Sequence, residues 1–320
     1  MYQKKVWHQT VDVLKVMYPK FSYEYYCLLF GRSRQAYYEY KSDTERDTIQ
    51  DLLVLKLVSE IRKDLPRSGV PQLRQLLKIP FEEHGIQMGR DALYTLLGEH
   101  GYLLRYRRRK AYTTNSNHAY KKYPNLIRNM KVEKAHTLWV SDITYIRLAN
   151  SFAYLSIITD AYSRKIVGYH LQNSLHATGP IAALEMALVQ RILTNQLIHH
   201  SDRGVQYCCG DYVAVLKHAG IDISMTEKGD PYENAIAERV NGILKMELLL
   251  DSIFDTFEDA KQAVDWAVGK YNLIRPHSSC DYLTPELAHE REGILKKHWK
   301  NYPYKPKSIV EPMTALPQVL

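Results

Sequence analysis

The sequence predicts an α/β domain built on a mixed five-stranded sheet with flanking helices, preceded by small all-α modules of the helix-turn-helix type. Three observations predict this architecture. Apolar residues recur at helical spacing before residue 100, β-strand patterns begin at residue 136, and a basic, extended stretch separates the two regions. With 320 residues, of which 45% are hydrophobic, the chain can form two or three domains with substantial cores.

The region before residue 105 is predicted to be a series of short helices. Pro19 and Gly31 interrupt the first apolar stretches, and Ser33 can cap the helix that follows. The resulting order is typical of a helix-turn-helix unit, and a generic helical bundle is the alternative. A second helical group ends at Gly98 and suits a further DNA-binding module. The predicted helices are Val11–Lys20, Tyr23–Phe30, Arg34–Tyr40, Thr48–Arg62, Gln72–Leu77 and Met88–Leu97.

The net charge of +8 is concentrated in one segment. Residues 101–135 contain ten Lys and Arg against one acidic residue, whereas residues 136–320 contain 18 basic and 21 acidic residues. A basic run directly behind a DNA-binding module favours contact with backbone phosphates, and a solvated linker is the alternative. The residues of this run that we expect to contact DNA are Arg105, Arg107, Arg108, Arg109 and Lys110.

Composition argues against a membrane-spanning or secreted protein. The sequence contains no window of ~18 uninterrupted apolar residues and no apolar core of a signal peptide near its start. Its four cysteines show no spacing typical of a disulfide framework or a CxxC motif. We therefore expect a protein of a reducing cytoplasm.

The region from His136 has the pattern of an α/β domain. Three β-rich segments with a turn at Asn150 predict an antiparallel meander, after which helices and short strands alternate. The predicted strands are Leu138–Leu148, Ala153–Asp160, Ile166–Leu171, Leu197–Ser201 and Ile221–Met225. The predicted helices are Thr178–Leu193, Gly210–His218, Tyr232–Leu250 and Phe257–Leu273.

Three acidic residues stand where an unpaired charge is costly. Asp142 lies inside an apolar strand, Asp202 ends a short strand, and Glu238 shares a helix face with Asn234 and Lys245. Each alone has a structural explanation. Asp142 could cap a turn, and Asp202 and Glu238 could each pair with the arginine that follows it in the sequence. Together, three carboxylates would suit hard divalent cations, and two such ions about 4 Å apart would hold a phosphodiester.

His199 and His200 precede Asp202 and are weaker candidates for metal contact. A zinc site needs more ligands at suitable spacing, so packing within the strand is the more frequent role for such histidines.

These segments resemble the catalytic core of insertion-sequence DDE transposases of the OrfB type, which is similar to that of retroviral integrases. The spacing of 35 residues between Asp202 and Glu238 is the one for which this family is known. One departure is Glu233, where the family usually has Asp. The matching segments are Trp139–Tyr145, His200–Tyr207, Asn234–Glu238, Leu244–Glu247 and Tyr271–His277, with Thr113–His118 and Tyr123–Leu126 upstream.

The resemblance implies an RNase H-like fold for the α/β domain and a role for each matched residue. Asp142, Asp202 and Glu238 would be catalytic and would bind two Mg²⁺ ions, for which Mn²⁺ would substitute. Lys245 would face substrate DNA, and the site would be lined by Gln206, Tyr207 and Asn234. The expected division of the chain is a helix-turn-helix-like module (1–46), a second helical module (47–104), a basic linker (105–135), the integrase-like core (136–300) and a tail (301–320).

The implied activity is DNA transposition by strand cleavage and strand transfer. The expected partners are the terminal inverted repeats, the target DNA and further copies of the chain in a synaptic complex; no membrane is expected, and the location would be the bacterial cytoplasm at the nucleoid. Two alternatives stay open: a structure-specific endonuclease on the same fold, which would cut but not join DNA, and a DNA-binding repressor with an inactive core.

Overall fold

The computed structural model describes residues 7–104, 118–128, 130–191, 196–227 and 234–298. The basic run Arg105–Lys110, the upstream matching segment 113–117 and the tail 301–320 lie outside these ranges.

Residues 7–99 form helices joined by short turns. The side chains of Ser22 and Ser33 accept hydrogen bonds from the backbone N–H groups of Tyr25 and Ala36, which caps the second and third helices as the sequence suggested for Ser33. Gly31 has a φ of +64°, a conformation that glycine adopts without strain. The helices are α1 (Trp7–Met17), α2 (Tyr23–Leu29), α3 (Arg34–Asp64), α4 (Val70–Leu76), α5 (Lys78–Glu83) and α6 (Arg90–Glu99).

Helix α3 differs from the sequence prediction. The segments predicted as two helices, Arg34–Tyr40 and Thr48–Arg62, belong to one helix of 31 residues. The polar residues between them include no proline or glycine that would end a helix. The two halves of α3 nevertheless pack in separate apolar clusters, one with α1 and α2 around Tyr37 and the other with α4–α6 around Val58.

The sheet of the second region has the mixed topology that the sequence predicted. The first three strands are antiparallel, β4 and β5 run parallel to β1, and the order is β3-β2-β1-β4-β5. This is the RNase H-like arrangement that the resemblance implied. A sixth strand of two residues, β6, pairs with the end of β1. The strands are β1 (Leu138–Leu148), β2 (Phe152–Asp160), β3 (Ile166–Gln172), β4 (Ile198–Ser201), β5 (Asp222–Met225) and β6 (Ile253–Phe254).

Helices cover both faces of this sheet. One cluster joins Trp139 and Val167 to α7 and α9, and another joins Ile146 and Leu155 to α10 and α11. Gly168 lets β3 and α7 approach closely, because a Cβ atom there would overlap the carbonyl oxygen of Ala183. The helices are α7 (Thr178–Val189), α8 (Val205–Cys208), α9 (Gly210–His218), α10 (Ala235–Met246), α11 (Phe257–Leu273) and α12 (Pro285–His289).

Within the described ranges, none of the helices combines the length and the apolar composition needed to span a membrane.

Candidate active site

The pairing of β1 with β4 brings two of the predicted carboxylates together. The strands pair in parallel as Trp139 with His199 and Val140 with His200. Continuing this register by two residues places Asp142 opposite Asp202, at the point where β4 ends. Because side chains alternate along a strand, Val140 and Asp142 project from the same face of the sheet.

Helix α10 packs against that face. Its apolar residues Val240 and Leu244 belong to the core cluster, and Ala237 contacts Val140 through a smaller cluster. Polar residues of the same helix face β1, where Asn234 and Asn241 form hydrogen bonds with Ser141 and Asp142. This polar face of the helix is the one to which the sequence assigned Asn234, Glu238 and Lys245.

Two asparagine side chains join α10 to β1 around the first carboxylate. Asn241 Nδ2 donates to Asp142 Oδ2 at 2.7 Å, and Asn234 Nδ2 donates to the carbonyl oxygen of Ser141 at 3.1 Å. Ile143 N–H donates to the other carboxylate oxygen of Asp142 at 2.9 Å. The orientation of the Asp142 carboxylate is thus determined by contacts on both of its oxygens.

The environment of Asp142 disfavours its charged form. Burial raises the pKa of Asp142 to about 7, and the negative charges of Asp202 and Glu238 add to the increase, while the hydrogen bonds from Ile143 and Asn241 oppose it. Two acidic groups held this close repel each other, and a cation between them would relieve the repulsion.

Asp202 is held by the turn that follows β4. The N–H of Gly204 donates to Asp202 Oδ1 at 2.9 Å. A Cβ atom at Gly204 would lie 2.9 Å from the same oxygen, so a larger residue there would make the Asp202 side chain shift.

The charge of Glu238 contributes to the raised pKa of Asp142, but Glu238 does not complete a ligand set with the two aspartates. It stands in the exposed first turn of α10, and partial burial raises its pKa. Among the described residues, no group of three or more His, Cys, Asp or Glu side chains is close enough to hold a metal ion.

The chemistry of the available donors nevertheless fits a hard divalent cation. The donors at this point are carboxylate oxygens, which Mg²⁺ and Mn²⁺ prefer. In addition, the amide oxygens of Asn234 and Asn241 are buried and have no hydrogen-bond partner in the described part of the chain.

Lys245 lies on α10 about two turns beyond Glu238. Burial lowers the pKa of its ammonium group, and the charge of Asp142 opposes that decrease, so the two side chains are within electrostatic reach. The structure thus brings Lys245 near Asp142, and its contact with DNA stays a prediction.

Gln206 and Tyr207 lie beneath Asp202 rather than in an open cavity. Gln206 Nε2 donates to the carbonyl oxygen of Leu175 at 3.0 Å. The Tyr207 ring packs in the cluster of Trp139 and Tyr212, and burial raises its pKa well above the ordinary value. Both side chains are buried, so they support the turn that carries Asp202.

The two histidines before Asp202 are used inside the sheet. The atoms Ser141 Oγ and Tyr212 Oη lie 2.6 and 2.9 Å from His199 Nε2, and His200 Nδ1 lies 2.8 Å from Ser224 Oγ. Burial and the neighbouring histidine lower the pKa of His199 to about 3. These contacts agree with the packing alternative and give neither histidine a place among the carboxylates.

Asn241 is the site residue that the sequence analysis missed. A signal was available: it follows Asn234 by seven residues and Glu238 by three, and it precedes Lys245 by four, so it lies on the same helix face. Because an amide carries no charge, its presence on this helix face does not by itself indicate a metal site, as the acidic residues do.

Comparisons with known proteins agree with this architecture. Two family models, both described as an integrase core domain, match residues 132–231 and 219–285. An insertion element IS600 protein of 31 kDa from Shigella sonnei is 34% identical over 267 residues, which cover 83% of this chain and 97% of that protein. The transposase of insertion sequence element IS904 from Lactococcus lactis is 30% identical over 232 residues, which cover 67% of this chain and 92% of that protein.

The solved structures that match are more distant. The catalytic core of HTLV-2 integrase in complex with magnesium matches with a TM-score of 0.40 and 19% identity, covering 49% of this chain and 97% of that one. On the sequence comparisons, this chain belongs to the family of insertion-sequence transposases with an integrase core domain.

Proposed function

We propose that this transposase cleaves DNA at the ends of an insertion sequence and transfers the freed strands to target DNA, at a divalent-metal site formed by Asp142, Asp202 and Glu238. The observation that carries the proposal is the pairing of β1 with β4, which brings Asp142 close to Asp202 just beyond the paired residues, with Asn241 of α10 bound to Asp142. Membership in the transposase family supports the reaction class.

The substrate explains why such a cluster of acids needs cations. A phosphodiester is an anion, and it would be repelled by the carboxylates unless their charge were compensated. Two bound Mg²⁺ or Mn²⁺ ions would stabilise the charge on the attacking and leaving oxygens of the phosphodiester. Because the described residues hold no three-ligand group, we expect Glu238 to move towards the two aspartates when metal binds.

The protein groups supply orientation around this site. Asn241 and the Ile143 N–H orient the Asp142 carboxylate, and Gly204 orients Asp202. Lys245 is placed to contact a phosphate of the bound strand. We propose that a water first attacks the phosphodiester at the element end, which breaks its bond to the 3′ oxygen and frees a 3′-OH. This 3′-OH then attacks a phosphodiester of the target, and the 3′ oxygen of the target strand leaves as a new 3′-OH.

DNA ends would be bound outside the catalytic core. We propose that the helical modules 1–46 and 47–104 read the terminal repeats and that the linker 105–135 contacts phosphates. The catalytic core would then span residues 136–300 and the tail residues 301–320. Several copies of the chain would join in one synaptic complex. The family and the concentrated basic charge support this division.

Substitution of the basic run tests the DNA-binding part. Replacing Arg105, Arg107, Arg108 and Arg109 by glutamine should weaken binding to DNA and flatten its salt dependence, because fewer counterions are released. Unchanged binding in this variant would show that the run is only a solvated linker.

Three substitutions test the catalytic part. Asp142→Asn, Asp202→Asn and Glu238→Gln should each abolish cleavage of a duplex taken from the DNA that adjoins the coding frame, and each should leave binding of that duplex intact. Asp211→Asn, at an exposed position of α9, is the matched control. Near wild-type cleavage by any of the three variants would contradict the assignment.

A strand-joining assay distinguishes a transposase from a structure-specific endonuclease and from a DNA-binding repressor. Incubation of the protein with a 3′-OH end and target DNA should yield joined product, whereas a nuclease would yield only cut DNA. A repressor would show no reaction in either Mg²⁺ or Mn²⁺.

A further inference from the structure

The loop between α3 and α4 contacts the C-terminal end of α10, although the two are far apart in sequence. The backbone N–H of Arg67 donates to the carbonyl oxygen of Glu247 at 3.2 Å. Its side-chain Nη1 donates to the carbonyl oxygen of Met246 at 3.3 Å and to the two carboxylate oxygens of Asp251 at 3.1 and 3.2 Å. One residue of the helical region thus makes several polar contacts with the end of the helix that carries Glu238 and Lys245.

The contact is part of a packed junction. Leu65, only 2% exposed, belongs to the main apolar cluster of the α/β core. Asp64 forms an ion pair of 2.6 Å with Lys270 on α11. Within the loop, Ser68 Oγ donates to the carbonyl oxygen of Leu65 at 3.0 Å, which stiffens the turn that presents Arg67. The junction therefore fixes where the helical region meets the core.

The chemistry of Arg67 suits the end of a helix. The last carbonyl groups of a helix have no partner within it and carry partial negative charge, which a guanidinium can compensate. The partner carboxylate is tied to the same turn, because Asp251 N–H donates to the carbonyl oxygen of Lys245 at 3.2 Å. Arg67 thus reaches the Lys245 turn both directly, through Met246, and indirectly, through Asp251.

We propose that Arg67 is a positioning residue, which holds the last turn of α10 so that Lys245 and Glu238 lie correctly against Asp142 and Asp202. The inference rests on the proposed function of α10. It adds that the helical DNA-binding region takes part in building the active site and does more than deliver DNA to it. Binding of an element end and its cleavage should therefore be separable by substitution at Arg67.

The test uses the full chain and a duplex from the DNA that adjoins the coding frame. Arg67→Ala should lower the single-turnover cleavage rate at saturating protein by roughly 10-fold to 100-fold, because small displacements of reacting groups are costly. Its affinity for the duplex, measured without divalent metal, should equal that of the unchanged protein. Arg67→Lys, which keeps the charge, should recover part of the rate, and Asp251→Asn should lose part of it.

Two controls make the result specific. Lys261→Ala removes an exposed cation on α11, outside the helical modules and the basic linker, and should leave both readouts unchanged. Asp142→Asn should abolish cleavage. Thermal unfolding of each variant identifies any that does not fold, and the milder Arg67→Lys and Asp251→Asn variants then decide the question.

Three outcomes would overturn the inference. An unchanged cleavage rate in Arg67→Ala, with Asp142→Asn inactive, would show that the contact is passive while the proposed active site stands. A parallel loss of duplex binding and cleavage would make Arg67 a DNA contact. Cleavage that persists in Asp142→Asn would refute the proposed function and this inference together.

Discussion

Asn241 Nδ2 donates a 2.7 Å hydrogen bond to Asp142 Oδ2 and so joins helix α10 to strand β1 at a carboxylate whose pKa burial raises to about 7. The same helix carries Glu238 and Lys245, so this bond couples the position of the helix to the orientation of the aspartate. A ligand carboxylate oriented in this way needs less rearrangement when a cation binds.

Asn241→Ala should therefore weaken metal binding. Loss of a residue that orients a metal ligand costs roughly 10-fold to 100-fold in metal affinity. A titration with Mn²⁺, followed by its electron paramagnetic resonance signal, measures this directly. The exposed amide variant Gln35→Ala on α3 is the control. Equal Mn²⁺ affinity in Asn241→Ala and the unchanged protein would show that the hydrogen bond has no part in the site.

The buried ion pair between Arg275 and Glu247 should be important for stability. Arg275 Nε and Nη2 donate to the two carboxylate oxygens of Glu247 at 2.8 and 3.1 Å, and the side chains are only 3% and 12% exposed. After Arg275→Met the largely buried Glu247 carboxylate loses its buried partner and keeps the more exposed Arg239 at 3.6 Å, and we expect a loss of about 3 kcal/mol in the free energy of unfolding.

Urea unfolding of Arg275→Met checks this expectation. Arg128→Ala, which breaks an ion pair with Glu227 at a more exposed position, should cost at most about 1 kcal/mol. A loss for Arg275→Met as small as that for Arg128→Ala would mean that the pair contributes little to the fold.

Stability should decrease in acid because of His199. Its pKa is about 3 in the folded chain against an ordinary value of 6.5, so the unfolded chain binds the proton first as the pH falls. The contribution of neutral His199 to the free energy of unfolding is present above pH 6.5 and is lost progressively between that pH and about pH 3. His199→Gln replaces the imidazole with an amide, which can form hydrogen bonds but does not titrate.

Urea unfolding at two pH values measures the difference. From about pH 7.5 to about pH 5.5, the free energy of unfolding should fall about 1 kcal/mol more for the unchanged protein than for His199→Gln. Equal pH dependence of the two proteins would show that folding does not shift the pKa of His199.

Two glycine substitutions should have opposite effects on stability. A methyl group at Gly168 would overlap the Ala183 carbonyl, so Gly168→Ala should force β3 and α7 apart and cost about 1–3 kcal/mol or more. Gly269 lies in α11, and a methyl group there would meet no atom of a neighbouring element within 4 Å, so Gly269→Ala should stabilise the helix by about 0.5–1 kcal/mol. Thermal unfolding of the two variants compares them, and a stabilised Gly168→Ala would contradict the packing of β3 on α7.

Much of the core could be predicted from local pattern. Strands β1, β2 and β3 were predicted within one residue at each end, because each is a β-rich run bounded by turn residues. Helix α3 was predicted as two helices, because polar residues interrupt its apolar pattern although nothing in them ends a helix. The two-residue strand β6 is too short to give a pattern, and it exists through its pairing with β1.

The sequence by itself determined which residues are acidic, how they are spaced, and that they belong to strands and a helix of an α/β core. It also determined the location of the basic run, which is a matter of composition. Only the tertiary structure decided that the pairing of β1 with β4 brings Asp142 close to Asp202, that Asn241 contacts Asp142, and that Arg67 reaches the end of α10. These contacts join segments that are distant in the chain, and they depend on strand pairing and helix packing, which the local sequence pattern does not encode.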